Sequence, residues 1–292
     1  MVYRESSSRQ KDYLLGIFFM ALTGLCMVAV MVSLRYLSDS IPSVQAAFLR
    51  YLLGLVIICP FVIQQIGKRD QTQTIPILKY GVRGTLHGFA VVLWFYSVSN
   101  IPLSDVTAIN YLTPIFTTIG AVIVFKERLT KERLLAIMLS IFGAILILKP
   151  GIEAISLGKS AQLLSTILFA ASYLITKSLT KTEGTTLIVF MLTLFATITL
   201  FPFAVINWSI PSINDLALLM GIAILATLGH YFMTKAVALA PLSVTQPVIF
   251  LQLIWSTLIG LVVFGEPLDF LIICGGGVIV IAITQLAYFE KR

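Results

Sequence analysis

Long apolar stretches alternate with short polar connections along the whole chain. A helix needs about 20 mostly apolar residues to cross a bilayer, and ten stretches of roughly this length can be delimited. We predict ten membrane-spanning segments over residues 13–34, 44–66, 78–99, 103–125, 132–148, 158–178, 186–206, 216–238, 242–264 and 268–289. The polar residues before the first segment are too few to form anything but a tail.

The composition agrees with a lipid environment. Of the 292 residues, 58% are hydrophobic and 11% are charged, and the mean hydropathy is +0.99. Soluble proteins contain about 45–50% apolar and about 25% charged residues. A single core cannot bury such an excess of apolar residues, so most of the surface must face lipid. The sequence therefore predicts an all-α integral membrane protein without a soluble domain.

The basic residues predict how the segments are oriented. The net charge of +7 would suggest nucleic-acid binding in a soluble chain, but in a membrane protein it reports which loops stay in the cytoplasm. If the ten segments alternate in direction, fourteen of the 20 Lys and Arg residues lie on the side of the N-terminus, and only Arg35, Lys149 and Lys159 lie on the other side. Both termini are therefore predicted to be cytoplasmic, and no nucleic-acid partner is expected.

An internal repeat divides the chain in two. A shift of 139 residues aligns residues 102–129 with residues 241–268 without a gap, and 10 of 28 positions are identical, including a PLS start and an F-x-E-x-L end. We therefore predict two repeats of five segments, residues 1–150 and residues 151–292. Because five is an odd number, the two repeats lie in opposite senses in the membrane. Secondary transporters are often built in this way, with a substrate site near the midplane.

Residues 95–151 resemble the third to fifth helices of EamA-type members of the drug/metabolite transporter superfamily. They read FYSVSNIPLSDVTAINYLTPIFTTIGAVIVFKERLTKERLLAIMLSIFGAILILKPG, in which the F-x-E and the later G-A-I-L-I-L are most recognisable. The second half keeps FGEPL and a glycine-rich last segment, so the resemblance covers nearly the whole chain. It implies ten helices in two repeats and transport of metabolites or drugs in either direction. Within the family, AAFLRY at 46–51 and VRGTLHGF at 82–89 are most similar to the group that contains bacterial S-adenosylmethionine uptake carriers.

The sequence carries no motif of an enzyme, a nucleotide-driven pump or a cofactor site. HExxH, GxSxG, a P-loop and GxGxxG after a strand are all missing, and each of these would place catalytic or phosphate-binding groups at a fixed spacing. Cys26, Cys59 and Cys274 lie far apart in apolar stretches without a CxxC pair, so they are interpreted as packing residues and predict neither disulfides nor a metal site. No cofactor is expected.

The polar residues inside the segments are therefore the candidates for function, since burying them in a membrane is costly. Arg50 lies about six residues from the outer end of the second segment. Its guanidinium is suited to bind a carboxylate or phosphate through two parallel hydrogen bonds, and the alternatives are bonds to backbone carbonyls or snorkelling to the interface. Arg83 and His87 share one face of the third segment. Arg83, near the cytoplasmic end, either snorkels or binds substrate, and the deeper His87 binds substrate, carries a proton or bonds to another helix.

The second half offers a similar set. His230 lies near mid-depth in the eighth segment, and Lys235 lies closer to the cytoplasmic end, where it either contacts substrate or snorkels. Asn110 and Gln252 are the amides of the fourth and ninth segments, and an amide in hydrocarbon needs several partners at once. We include all four among the substrate-binding candidates.

The charge balance predicts the kind of substrate. All thirteen acidic residues lie in tails, loops or first helical turns, so the candidate site is positive and favours a solute with an anionic group. A zwitterion such as an amino acid or S-adenosylmethionine fits, and an aromatic part of it would stack on Trp94, Tyr111 or Trp255. Sodium coupling is not expected without a carboxylate at mid-depth. Proton coupling would have to use His87 and His230, because an unperturbed histidine titrates near physiological pH.

We therefore predict a secondary transporter in the inner membrane that moves a small polar organic metabolite by alternating access. Its partners are the small-molecule substrate and the lipid bilayer. One alternative is an exporter of drugs or other metabolites, such as the vitamin riboflavin. The alternatives from other classes are an intramembrane channel or enzyme. The substrate, the direction of transport, the coupling ion and the oligomeric state are left open by the sequence.

Overall fold

The computed structural model describes residues 2–37, 41–66, 75–126, 131–148, 156–240, 242–245, 248–249, 251–265 and 270–290. Their secondary structure is helical, joined by turns and short connections. The predicted all-α class is confirmed for this part of the chain.

Twelve helices follow one another within the described residues. They are α1 Val2–Leu34, α2 Ser43–Ile66, α3 Ile77–Asn100, α4 Leu103–Asn110, α5 Leu112–Phe125, α6 Lys131–Leu148, α7 Leu157–Leu179, α8 Thr185–Ala204, α9 Ile213–Leu239, α10 Leu242–Thr245, α11 Leu251–Phe264 and α12 Phe270–Glu290. Because α1 begins at Val2, the N-terminal residues that we predicted to be a tail continue the first apolar helix.

Five of the described helices, α1, α2, α7, α8 and α9, are long and apolar enough to cross a membrane. Helix α3 has 24 residues, which is sufficient length, but Arg83 and His87 reduce its hydropathy. The chain is therefore a multi-pass membrane protein, while its ten spanning segments remain a prediction.

Two of the predicted segments are interrupted. Segment 103–125 consists of α4 and α5, which are separated by a turn at Tyr111. Pro114 falls in the first turn of α5, where the backbone N–H that proline lacks would have no helical partner in any case. In segment 242–264, α10 ends at Thr245 and α11 begins at Leu251.

The interruptions correspond under the offset of 139 residues found in the sequence. Helices α4 and α10 begin at equivalent positions, and α5 and α11 begin and end at equivalent positions. The residues that follow α5 and α11, Lys126 and Gly265, are also equivalent, and both adopt a left-handed backbone with φ of 53° and 63°.

The principal helix contacts keep the same pattern when each of the first six helices is exchanged with its equivalent in the last six, α1 with α7 and so on to α6 with α12. Helix α1 packs against α9 as α3 packs against α7, and α3 packs against α8 as α2 packs against α9. Helices α2 and α8 pack against each other, as do α6 and α12. Most of the large contacts therefore join the two halves of the chain.

The bundle is apolar outside and partly polar inside. Large apolar side chains such as Val56, Phe61 and Leu78 are exposed on its surface. Several buried hydroxyl groups donate to carbonyls of their own helix; for example, Ser97 Oγ donates to the carbonyl of Leu93 at 2.8 Å. Such a distribution suits helices surrounded by lipid, because a hydroxyl in hydrocarbon needs an internal partner.

Helices α3 and α8 cross at very short range because α3 presents two glycines. A Cβ atom on Gly84 would overlap the Cβ of Phe195 and lie 3.2 Å from its Cα, and a Cβ on Gly88 would lie 3.2 Å from the Cβ of Thr199. Small residues allow such close approach between membrane helices. The crossing fixes the position of α3, which carries Arg83 and His87.

Candidate substrate-binding cavity

A polar cavity lies between the two halves of the bundle. Side chains of α1, α2, α3, α4, α5, α7, α9 and α11 line it, together with Ile249 before α11. The space between its lining residues measures about 810 Å³ when the part open to solvent is included. Six of the predicted site residues line this cavity, namely Arg50, His87, Trp94, Asn110, His230 and Gln252.

Arg50 supplies the positive charge of the cavity wall. Its side chain is only 6% exposed, so it does not snorkel to an interface. The guanidinium carbon lies 3.8 Å from the centroid of the Tyr51 ring, a distance at which cation and ring attract each other. Among the described residues, neither Nη1 of Arg50 nor the hydroxyl of Tyr51 has a hydrogen-bond partner. Two buried donors are thus left beside the cavity, and burying a polar group without a partner costs free energy.

The two histidines meet in the cavity although 143 positions separate them in the chain. The ring centroids of His87 and His230 are 5.0 Å apart and the rings meet edge to face at 72°. Ser172 Oγ lies 3.4 Å from Nδ1 of His87, and the ring of Phe169 packs against the same imidazole at 4.9 Å. Nε2 of His87 and Nδ1 of His230 have no hydrogen-bond partner in the described part of the chain. Each histidine therefore keeps one ring nitrogen for a solute or a proton.

The two amides reach the cavity next to the helix interruptions. Asn110 ends α4, and its Oδ1 accepts a hydrogen bond from Thr113 Oγ1 at 3.3 Å. Gln252 lies buried in the first turn of α11. The interruption before α5 also brings Thr113 and Pro114, in the first turn of that helix, to the cavity wall.

No acidic side chain occurs among the residues described as lining the cavity. Two acidic residues at helix starts have other roles: Asp105 lies 3.4 Å from the amino group of Lys159, and Asp215 forms the capping box of α9 with Ser212. Across the described residues, no group of three or more His, Cys, Asp or Glu side chains is placed to hold a metal ion. The cavity therefore carries net positive charge.

Arg83, which we predicted to snorkel or bind substrate, is enclosed between helices in this structure. It is 0% exposed and is not among the residues that line the cavity. Its Nη1 donates to the carbonyl oxygen of Ile188 in α8 at 2.8 Å. Snorkelling is excluded because α8 covers the side chain.

Three other predicted site residues also lie outside the described cavity wall. Tyr111 is buried in the turn between α4 and α5. The amino group of Lys235 lies 5.2 Å and 5.6 Å from the centroids of two aromatic rings, those of Phe19 and Tyr231. Trp255 is 46% exposed on α11, which places its ring at the outer surface of the bundle.

Several lining residues were not identified in the sequence. Tyr51, Phe169 and Tyr173 form much of the aromatic wall, and Thr23 contributes a hydroxyl. Tyr51 directly follows Arg50, and its position next to a buried arginine could have marked it. The others are typical of packing residues and carry no signal of their own.

Two polar links join the halves of the chain at the starts of α2, α4 and α7. Gln45 Nε2 donates to the carbonyl of Ser209 at 2.6 Å, and the backbone N–H of Ser209 donates to Gln45 Oε1 at 2.9 Å. The ion pair of Lys159 with Asp105 connects α7 to α4. These contacts hold the two halves together on one side of the cavity.

A bundle of apolar helices that encloses a polar cavity between its two halves has the form of a membrane transporter. The EamA-like transporter family matches residues 14–149 of the chain and, a second time, residues 156–288. The chain belongs to this family. The resemblance described above is confirmed, and membership indicates a membrane transporter of small molecules.

Curated relatives match over most of the chain. The S-adenosylmethionine uptake transporter of Rickettsia bellii is 27% identical over 282 residues, which cover 97% of this chain and 96% of that protein. The corresponding transporter of Rickettsia prowazekii is 26% identical, with 97% and 95% covered. The pseudopaline exporter CntI of Pseudomonas aeruginosa is 25% identical over 256 residues, with 87% and 89% covered. One solved crystal structure superposes with a TM-score of 0.68 at 14% identity, covering 97% of this chain and 98% of the other, and it shows the fold alone.

Proposed function

We propose that this protein is a secondary transporter that moves a small organic metabolite with an anionic or zwitterionic group by alternating access. Arg50 carries the proposal. Its guanidinium is buried at the cavity wall with an unpaired Nη1 among the described residues, and the described wall has no acidic side chain to neutralise it. A buried charge without a partner costs several kcal/mol, and an anionic group of the solute would remove that cost through charge-assisted hydrogen bonds.

The architecture that we propose consists of ten spanning segments in two inverted repeats, residues 1–150 and residues 151–292. The common offset of 139 residues between α4–α5 and α10–α11 supports it, as does the helix-contact pattern that persists when the halves are exchanged. A cavity between the halves agrees with the position of substrate sites in transporters with inverted repeats, in which interrupted helices contribute to the site.

We further propose that both termini lie in the cytoplasm and that the protein resides in the inner membrane. The distribution of basic residues supports this orientation, because cytoplasmic loops are enriched in Lys and Arg. In this orientation the links between Gln45 and Ser209 and between Lys159 and Asp105 lie on the outer side.

In the proposed binding mode the anionic group of the solute pairs with Arg50 and accepts a hydrogen bond from the Tyr51 hydroxyl. The polar remainder of the solute contacts the two histidines, Asn110 and Gln252, and an aromatic part packs against Trp94. These side chains already share one cavity. Lys235, Tyr111 and Trp255 have no part in this mode.

The substrate that we favour is S-adenosylmethionine or an amino acid. Two of the relatives described above are named S-adenosylmethionine uptake transporters, and both kinds of solute carry a carboxylate beside an ammonium group. The second candidate function is export of a metabolite, which the pseudopaline exporter among the relatives supports.

The test is solute counterflow with the purified protein in liposomes. The probes form two matched pairs: S-adenosylmethionine with its decarboxylated form, and methionine with methioninamide. We expect the carboxylate of at least one pair to be exchanged faster than its partner. Saturable exchange would also separate a carrier from a channel.

The variant Arg50→Lys examines the anchor directly. An ammonium keeps the charge but cannot form two parallel hydrogen bonds, so we expect a loss of about tenfold in carboxylate exchange, equivalent to about 1.4 kcal/mol. The melting temperature should stay near that of the wild type. Lys79→Gln removes an exposed cation and is the control. Equal losses for both members of a pair, together with a lower melting temperature, would show that Arg50 is structural.

A further inference from the structure

Arg83 is a buried cation that the proposed binding mode does not use. It is fully enclosed, and one of its nitrogens, Nη1, donates to the carbonyl of Ile188. Its Nε and Nη2 atoms are buried and have no hydrogen-bond partner within the described residues. A lone backbone carbonyl does not neutralise a guanidinium, so the charge stays uncompensated in the interior.

The position of Arg83 connects it to the cavity. It precedes His87 by four residues on the same face of α3, which corresponds to one helical turn, or about 6 Å along the helix. Tyr51 and Tyr173, which line the cavity, both lie within electrostatic range of Arg83. Tyr51 is also in contact with Arg50. Tyr51 therefore lies in contact with Arg50 and within electrostatic range of Arg83.

We propose that Arg83 is a second anion-binding site, which receives the carboxylate of the solute after it leaves Arg50. This inference rests on the proposed function. The second site lies toward the N-terminal end of α3, which is the cytoplasmic end in the proposed orientation. The carboxylate moves along α3 from the level of His87 toward Arg83, which is about one helical turn, and the Tyr51 hydroxyl donates to it during the transfer.

A second site solves a kinetic problem that Arg50 alone would create. A carboxylate held by one buried guanidinium has to give up its charge-assisted hydrogen bonds before it can leave, and such bonds are stronger than neutral ones. A second unpaired guanidinium nearby offers replacement bonds before the first are all lost. The barrier to release toward the cytoplasm is lowered, while affinity in the central cavity is unchanged.

The competing interpretation is that Arg83 only fastens α3 to α8. Its bond to Ile188 and the close crossing at Gly84 would suffice for that role. A fastener affects every solute equally because it acts on the fold. An anion-binding site affects only the solute that carries the carboxylate, and it affects movement more than binding.

The experiment compares Arg83→Gln with Arg50→Lys and with the control Lys79→Gln, which removes an exposed cation from the preceding turn of α3. Equilibrium dialysis measures the Kd for S-adenosylmethionine and methionine, and counterflow measures exchange rates for both matched pairs. For Arg83→Gln we expect a Kd within about twofold of the wild type, a carboxylate exchange rate lowered about tenfold, and an unchanged rate for the partner that lacks the carboxylate. Arg83→Lys should recover part of the rate, because it restores the charge but not the planar geometry.

The outcomes separate the two proposals. If Arg83→Gln slows both members of a pair equally, or leaves the carboxylate rate unchanged, the second site is wrong and the role of Arg50 is unaffected. If Arg83→Gln does not fold, Arg83→Lys is measured in its place. An equal fractional change in exchange rate for both members of a pair, relative to the wild type, would then overturn the proposal. If Arg50→Lys leaves carboxylate preference intact, or if the wild type exchanges neither carboxylate, the proposed function itself fails and the second site falls with it.

Discussion

Replacing Gly84 by alanine tests whether the close crossing of α3 and α8 maintains the geometry around Arg83. The new Cβ would overlap the Cβ of Phe195 and lie 3.2 Å from two of its backbone atoms, Cα and the carbonyl carbon. Backbone atoms cannot rotate out of the way as a side-chain end does. The two helices must therefore move apart until these carbons reach an ordinary separation of about 3.5–4.0 Å.

The expected cost combines three contributions. Overpacking a close contact costs about 1–3 kcal/mol, and the higher helix propensity of alanine returns at most about 1 kcal/mol. The displacement also lengthens the hydrogen bond from Arg83 to the Ile188 carbonyl, now 2.8 Å, and a bond to a charged group contributes about 1.5–3 kcal/mol. We expect Gly84→Ala to lower the free energy of unfolding by about 2 kcal/mol.

The assay is thermal and SDS-induced unfolding of the purified protein, with Gly221→Ala as the matched control. No atom lies within 4 Å of a Cβ built on Gly221 in α9, so the same change there should be neutral or stabilising by up to about 1 kcal/mol. The two variants are thus expected to differ in sign. Equal stability of Gly84→Ala and Gly221→Ala would refute the argument that this crossing is limited by steric contact.

Three further predictions concern orientation, coupling and access. Single cysteines introduced in the loop 149–159 should react with an impermeant thiol reagent from outside, whereas cysteines in the loop 126–133 should not, and the reverse pattern would invert the proposed topology. If transport is coupled to protons, an imposed pH gradient should drive accumulation, and the joint change His87→Gln with His230→Gln should abolish that dependence; its full retention would exclude the histidines. Gln45→Ala removes a link between the halves, so it should increase the reactivity from outside of single cysteines introduced into the cavity wall, and unchanged reactivity would show that this link does not limit access.

The sequence predicted the class of fold well because the apolar composition and the internal repeat can be recognised without knowing how the helices pack. An apolar excess across the whole chain excludes a soluble domain, and the 139-residue offset fits the interruptions that the structure shows. The place of the interruption was not predictable in the same way. Pro114 lies inside the fourth predicted segment, and the helix is interrupted three residues before it, at Tyr111. Irregular backbone inside a membrane is tolerated only where protein or a cavity surrounds it, and that is a property of the assembled bundle.

The site was predicted in part for a related reason. Depth along a helix can be counted from the sequence, and this count brought Arg50 and both histidines into consideration. The sequence does not show which side of a helix faces the cavity when lipid and neighbouring helices are both apolar, because no polar face then marks the outside. Trp255 therefore proved to lie at the surface. For Arg83, the distance from the helix end suggested snorkelling as one of two alternatives, whereas the crossing with α8 covers the side chain.

The arrangement of unpaired polar atoms suggests why the cavity suits a carrier rather than a high-affinity receptor. Arg50, Tyr51 and both histidines have buried atoms without partners within the described residues, so solute binding would form hydrogen bonds that the empty protein lacks. Part of this gain only offsets the cost of having buried those atoms. The net gain from binding is consequently smaller than the new hydrogen bonds alone would give. If the protein itself supplied a carboxylate side chain beside Arg50, that side chain would pair with the guanidinium and remove the cost in the absence of solute. The solute would then have to displace it. Because the described cavity wall contains Arg50 and no acidic side chain, the proposed function assigns the role of counter-ion to the solute.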